Sequence, residues 1–359
     1  MVGWPVWRTI ECLSQRGARY SYTVFMPRLS DKLLDCVVYL YSSADDANQG
    51  IKAGGTGFLV GVPMADPLYA PNVTSIYAVT NRHVVDHRAT TIRLNTQDGG
   101  FDVLETPDDG WFRHPDGDDI AVCPIGLDSN IHKFTSVSIK FMLTREILDR
   151  YKIGPGDEAC FVGRFVNHEG KQRNTPTLRF GNLAMMPWEP LVAETGLKQE
   201  SYLVEARSLP GYSGSPVFVY DNPVYPRPEE QTPLNPANHM WGPYLLGIDW
   251  CHLYRWAEVV GADKRTPVEP SMWVKENTGM MGVIPAWKLI DILQMEEIAM
   301  GRREAEQRWL DDNQKASEGV SLDNAAQDNG VFTKDNFLRD LRRVTRRVEP
   351  QSGQAEGEK

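Results

Sequence analysis

Leu209-Pro210-Gly211-Tyr212-Ser213-Gly214-Ser215-Pro216 sets a serine between two glycines and runs into the apolar segment Val217-Phe218-Val219-Tyr220. A serine hydroxyl is a weak nucleophile at neutral pH. To attack a carbonyl it needs a base within hydrogen-bond reach and donors for the oxyanion that develops. Flanking glycines let the backbone turn tightly and aim its N–H groups inward. The same text also reads as an ordinary Gly/Ser/Pro turn before a strand. The choice rests on whether the rest of the chain supplies a histidine and a carboxylate in suitable places.

Upstream of the turn the chain is a series of short strand patterns. Leu34 to Tyr41 is rich in β-branched and aromatic residues. Gly54-Gly55-Thr56-Gly57-Phe58-Leu59-Val60-Gly61 is a strand entered through glycines. Ser75-Ile76-Tyr77-Ala78-Val79-Thr80 leads straight into Asn81-Arg82-His83-Val84-Val85, and Thr90 to Leu94 alternates. After an acidic Gly/Pro-rich loop comes Asp118-Asp119-Ile120-Ala121-Val122-Cys123, with a carboxylate at its mouth. A second series follows: Glu158 to Phe165, Leu178 to Met185, Ser201 to Ala206, Ser215 to Tyr220, Tyr244 to Trp250 and Met280 to Pro285. Many short strands, Gly/Pro turns and almost no helix before Pro285 predict an all-β sandwich or a pair of barrels. The stretches 221–243 and 251–278 are expected as long loops, either lining a binding site or decorating the surface.

Beyond Pro285 the period changes. Leu289, Ile292, Leu293, Ile298 and Met300 recur at helical spacing, predicting a helix to about residue 310. From Asp311 to Gly330 the chain turns polar and small, as linkers do. Phe332 to Val348 carries Phe337, Leu338, Leu341 and Val344 among arginines, an amphipathic helical pattern that also suits a solvated tail. The expected organisation is an N-terminal extension over 1–32, a main domain over 33–297 and a charged tail over 298–359.

Composition narrows the function classes. A net charge of −10 over 359 residues argues against nucleic acid or an anionic membrane as the main partner. The N-terminus lacks a basic start followed by an apolar core, and no apolar run reaches the ~18 residues of a membrane span. Five cysteines without any Cys-x-x-Cys pair disfavour a disulfide framework and a structural zinc site. These features predict a cytoplasmic protein with reduced thiols. No metal or organic cofactor is expected.

His83 at the end of one strand, Asp119 at the start of another and Ser213 in its glycine turn have the chemistry of an acyl-transfer triad. His83 would take the Ser213 proton, Asp119 would fix the imidazole tautomer, and the N–H groups of Gly211 and Ser213 would hold the oxyanion. His87 and His114 are alternative bases, Asp118, Asp116 and Asp102 alternative carboxylates, and Ser215 an alternative nucleophile. Cys251-His252 is a further pair, read as lining the cleft rather than as a thiol site.

These local texts, in the order His, Asp, Ser, resemble the trypsin-like (chymotrypsin-fold) serine peptidases, with bacterial HtrA-like domains the nearest in pattern. Gly55-Thr56-Gly57-Phe58 resembles the strand those domains carry before the histidine. Leu246-Gly247-Ile248-Asp249-Trp250 resembles the strand that pairs with substrate, and Gly282-Val283-Ile284-Pro285 the closing strand before a C-terminal helix. The resemblance covers roughly residues 33–297. It implies two six-stranded antiparallel β-barrels with the site between them, serine endopeptidase activity and a protein or peptide substrate in a bacterial setting. It also places Arg207 at the base of the primary specificity pocket and Trp250 and Gly282 near its walls. An arginine there would favour an acidic residue before the scissile bond; a solvent-facing or carboxylate-paired Arg207 would not. Tyr212 stands where secreted members have the aspartate that receives a new N-terminus, so activation by trimming is not expected. Unlike HtrA proteins, the stretch after 297 is not expected to hold a PDZ domain, so regulation by such a domain is not expected; a separate regulatory protein partner is a further expectation. A catalytically idle peptide-binding module on the same fold is the alternative.

Overall fold

The computed structural model describes residues 8–13, 19–24, 30–63, 74–166, 168, 170–192, 196–206, 211–220, 243–261, 265–267, 271–319 and 346–347, with side chains described only within 30–311. Its frame is two antiparallel β units in sequence.

The first unit runs Phe101–Glu105, Thr91–Asn95, Val37–Tyr41, Ala53–Pro63, Thr74–Thr80 and Ala121–Ile125 in hydrogen-bonded order, with the short Phe112–Arg113 at one end. No ladder joins the two ends of this run among the described residues. The strands nevertheless curl around one interior, because Leu104, Ile92, Leu94, Val38, Leu40, Leu59, Ala78, Ala121, Cys123 and Ile125 form a single buried cluster. The alternation of a strand explains the other face. Val37, Tyr39, Tyr41, Phe58, Val60, Tyr77 and Val79 point out of that interior and pack with Cys160, Val162, Phe218 and Ile248 of the second unit.

The second unit is a closed six-stranded barrel: Glu158–Gly163, Thr177–Met185, Tyr202–Glu205, Trp273–Pro285, Tyr244–Glu258 and Pro216–Tyr220. Its interior holds Phe161, Leu183, Tyr202, Val204, Tyr212, Val217, Val219, Leu246, Met281 and Val283. Burial of each large apolar side chain contributes roughly 1.5–3 kcal/mol. The fold is therefore all-β, as the strand count predicts.

The units are also joined by polar clamps. Arg93 of the first unit is 0% exposed. It donates to the carbonyls of Gly170 at 3.1 Å and Lys171 at 2.6 Å in the loop that follows Glu158–Gly163. Asn95 and Asn174 exchange two further hydrogen bonds beside it, at 3.0 and 2.7 Å.

Several local expectations change. Residues 31–36 form a 3-10 helix rather than the start of a strand, with the Ser30 hydroxyl accepting from Lys32 N–H at the N-cap. Short helices also occupy Ala44–Gln49, Arg82–Asp86 and Arg145–Tyr151. The stretch expected as a loop over 251–278 is largely strand. Tyr244–Glu258 and Trp273–Pro285 continue past the barrel as a two-stranded ribbon, pairing Tyr254 with Asn277 and Glu258 with Trp273. Alternation of His252, Tyr254 and Trp256 with Leu253 and Arg255 suits such a ribbon. Of the other long stretch only Pro243 is described, in no regular element.

After Pro285 there are two helices instead of one, Ala286–Leu293 and Glu296–Gly319. The second runs on to Gly319, through residues expected as linker; Ala, Lys, Gln and Glu there have good helix propensity and no proline intervenes. The helix expected over 332–348 lies outside the described residues except Arg346–Arg347. Those two pair as strand with Leu104 and Glu105. In the N-terminal extension, Arg8–Leu13 and Arg19–Val24 form a separate hairpin. Among the described residues no helix is long and apolar enough to cross a membrane.

Candidate active site

His83 sits three residues past the end of its strand rather than at it. Thr74–Thr80 ends, Asn81 takes the N-cap position without a side-chain capping bond, and His83 is the second residue of the helix Arg82–Asp86. Its ring is held from below. His83 Nδ1 lies 2.6 Å from Asp119 Oδ2, and the His83 backbone N–H donates to Asp119 Oδ1 at 2.8 Å. A carboxylate only accepts, so this contact puts the imidazole proton on Nδ1 and leaves Nε2 as the basic nitrogen. The His83 side chain is 40% exposed and that of Asp119 5%. An open imidazole backed by a buried carboxylate can pass a proton to and from a bound molecule.

Geometry separates Asp119 from its neighbour. Asp118 turns away, to His114 Nδ1 at 3.1 Å and Lys288 Nζ at 3.0 Å. Burial pulls the Lys288 ammonium down, but the Asp118 hydrogen bond and the charges of Asp118 and Glu200 outweigh it and raise its pKa. Asp102 is buried against His132 Nε2 at 3.1 Å, in the first unit. The His87 ring is exposed, 6.3 Å from the His83 ring.

The Ser213 turn is positioned by backbone. Thr56 N–H donates to Ser213 O at 2.9 Å, and Thr56 Oγ1 donates to Gly211 O at 2.7 Å. Gly214 N–H donates to Asp249 O at 2.8 Å, and Ser215 N–H to Tyr212 O at 2.8 Å. Gly211 and Gly214 take φ of +99° and +88°, values that an L side chain rarely adopts. A Cβ on Gly214 would overlap Thr56 O and Thr80 Oγ1. Beneath the turn Tyr212 is fully buried, and its hydroxyl shares a hydrogen bond of 2.6 Å with Thr177 Oγ1. Ser213 is half-buried, whereas Ser215 is fully buried with no partner on its hydroxyl among the described residues.

The strand edge between the two halves brings them together. A Cβ on Gly55 would stand 2.9 Å from both methyls of Val84 and 3.3 Å from Ser213 O. Val84 follows His83 directly, so turn and histidine flank one glycine. The N–H groups of Gly211 and Ser213 have no acceptor among the described residues, in contrast to those of Gly214 and Ser215. The Ser213 hydroxyl makes no hydrogen bond among the described residues either, so the contact from Oγ to His83 Nε2 is not closed.

Trp250 and Gly282 are adjacent. A Cβ on Gly282 would meet Trp250 Nε1 at 2.8 Å and Cys251 Sγ at 2.7 Å. Burial, with the nearby Asp249 charge, pushes the half-buried Cys251 thiol up to about 12, so at neutral pH it is protonated and a poor nucleophile. Arg207 lies outside the described residues. Among the described residues no group of three or more His, Cys, Asp or Glu side chains is arranged to hold a metal.

No family model and no curated protein sequence matches the chain. Solved structures do match. The MamO protease domain from Magnetospirillum magneticum is 16% identical with a TM-score of 0.44, over 74% of this chain and all of that one. Deg5 is 16% identical with a TM-score of 0.36, over 61% and 81% of the two chains. The HtrA-type protease AlgW is 17% identical with a TM-score of 0.36, over 68% and 52%. At these identities the activity has to be argued from this chain's own residues.

Two supporting residues escape sequence reading. Thr56 reads as a strand residue, and its role in holding the turn depends on a contact 155 residues away. Gln199 lies in an unremarkable polar stretch, yet it accepts from the Asp119 N–H at 2.9 Å. No sequence pattern marks either one.

Proposed function

We propose that the chain is a serine endopeptidase in which Ser213 is the nucleophile, His83 the general base and Asp119 its orienting carboxylate. The observation that carries this reading is the pairing of a fixed His83–Asp119 dyad with a glycine turn whose Gly211 and Ser213 N–H groups have no acceptor among the described residues. His83 Nε2 takes the Ser213 proton as Oγ attacks the peptide carbonyl. The oxyanion of the tetrahedral intermediate accepts from the Gly211 and Ser213 N–H groups. The same proton then goes to the leaving amine, and water, activated by His83, releases the acyl group. The substrate is a protein or peptide, and Trp250 and Gly282 lie along the cleft that receives it. No step uses a metal or organic cofactor.

The open Oγ–Nε2 contact favours a second reading, a peptide-binding module without turnover. Catalytic contacts often tighten only when substrate is bound, which keeps the peptidase reading first. A fluorophosphonate probe separates the two. The parent chain is expected to label and Ser213→Ala to remain unlabelled. A parent that never labels, or a mutant that labels equally, rejects the Ser213 peptidase.

A further inference from the structure

We propose that Gln199 is a positioning residue for the His83–Asp119 pair. This rests on the roles given above to His83 and Asp119. Gln199 closes the two-residue strand Lys198–Gln199, which pairs with Leu191–Val192 in a small sheet of its own, inserted in sequence between Thr177–Met185 and Tyr202–Glu205 of the barrel. It is 0% exposed, and both ends of its amide are used. Oε1 accepts from the Asp119 backbone N–H at 2.9 Å. Nε2 donates to Asp118 Oδ1 at 2.6 Å and to Glu200 O at 3.3 Å. A buried amide with these partners is specified at both ends, since turning it over would face N–H against N–H and carbonyl against carboxylate.

Asp119 needs such a hold. It precedes the strand Ala121–Ile125 and so lacks ladder hydrogen bonds of its own. Two side-chain amides take their place. Asn81, two residues before His83, donates from Nδ2 to Asp119 O at 2.9 Å. Gln199 takes the N–H on the other side. Asp119 is held at its N–H by Gln199 and at its C=O by Asn81, while its carboxylate accepts from His83. The grip extends into the cleft. Ser201 Oγ donates to Gln199 O at 3.1 Å and accepts from Trp250 Nε1–H at 2.9 Å. A continuous polar chain thus runs from Trp250 through Ser201 and Gln199 to Asp119 and His83. Removing the Gln199 amide leaves the Asp119 N–H unpaired and frees the peptide to rotate, and small misplacements of a catalytic group cost rate steeply.

The test uses the full chain and two readouts. One is the proton resonance of His83 Nδ1–H, assigned by its loss in His83→Ala; it needs no turnover. The other is the fluorophosphonate labelling rate at Ser213. Gln199→Met keeps the side-chain length without the amide, and Gln199→Asn keeps the amide on an arm one methylene shorter. Both are expected to move the Nδ1 resonance and to slow labelling, by about 10²-fold for Met. Lys288→Met is the control, because it removes a partner of Asp118 without touching Asp119. It is expected to lower the melting temperature and leave the resonance in place. An unshifted resonance in Gln199→Asn, or an equal shift in Lys288→Met, overturns the proposal even if Gln199→Met fails to fold. Absence of labelling in the parent rejects the peptidase instead, and the resonance still decides the role of Gln199.

Discussion

The two halves of the site are built by different means. The His83–Asp119 half is a matter of side chains: a carboxylate accepts from a ring nitrogen at 2.6 Å and from a peptide N–H at 2.8 Å. Asn81 and Gln199 then fix the Asp119 peptide itself. The Ser213 half is a matter of backbone: two glycines at positive φ, main-chain bonds to Thr56 and Asp249, and a hydroxyl with no partner among the described residues. The first half is sensitive to which functional group is present. The second is sensitive to whether the chain can take one conformation. Substitutions of equal size should therefore fail in opposite ways, through chemistry in one half and through folding in the other.

The largest effect expected is that of Gly214→Ala. The added methyl overlaps Thr56 O and Thr80 Oγ1 and sits on a residue at φ +88°. Overlap with a backbone carbonyl cannot be relieved by a rotamer change, so the turn has to leave its seat on Thr56. The expected outcome is loss of probe labelling together with a fall in melting temperature. A variant that melts and labels like the parent would show that backbone conformation is not what sets this half apart.

Asp119→Asn comes next and should behave in the reverse manner. The shape is kept, but an amide can present N–H to Nδ1 and favour the wrong tautomer. Labelling is expected to slow by about ten-thousand-fold with the chain still folded. Single-exponential labelling at saturating probe, read beside a melting curve, checks both parts. A large loss of stability with little change in rate would make Asp119 a structural residue and erase the contrast.

The smallest effect belongs to Tyr212→Phe, below the turn. The ring, edge-on to Phe161 at 5.2 Å, is retained, and only the hydroxyl bond to Thr177 is lost. The Thr177 hydroxyl keeps a weak alternative in Gly163 O at 3.5 Å. A stability loss of about 1 kcal/mol is expected, with labelling close to that of the parent. Denaturant titration measures it. A loss of labelling would mean that the phenol, and not only the ring, supports the turn.

Legibility in the sequence followed the range of the interaction. Strands such as Thr74–Thr80 and Pro216–Tyr220 were readable because alternation and β-branching act over a few residues. The ribbon made by residues 251–258 and 273–279 is not legible, because its polar and aromatic side chains resemble loop composition. It becomes strand only when Tyr254 meets Asn277 and Trp256 meets Lys275 across it. The helix after Pro285 was placed well at its start, where Leu289, Ile292 and Leu293 are buried. Its break near Gln294 leaves no signature in the sequence, since no proline or glycine marks it.

The candidate site divides along the same line. His83, Asp119 and Ser213 could be named from local text, because a histidine just past a strand, a carboxylate just before one and a serine between glycines each leave a short-range signature. The sequence also carried the glycines, whose conformational freedom is a property of the residue itself. It left Asp118 beside Asp119 as an alternative carboxylate. Only the tertiary structure turned Asp119 toward His83 and Asp118 toward Lys288, put Thr56 under the turn, and brought Gln199 across from the second unit to the Asp119 peptide. Each of those contacts joins residues far apart in the chain. The His83–Asp119 contact arises from strand pairing within the first unit, and the others from how the two β units and the helix after Pro285 pack, which no stretch of sequence encodes by itself.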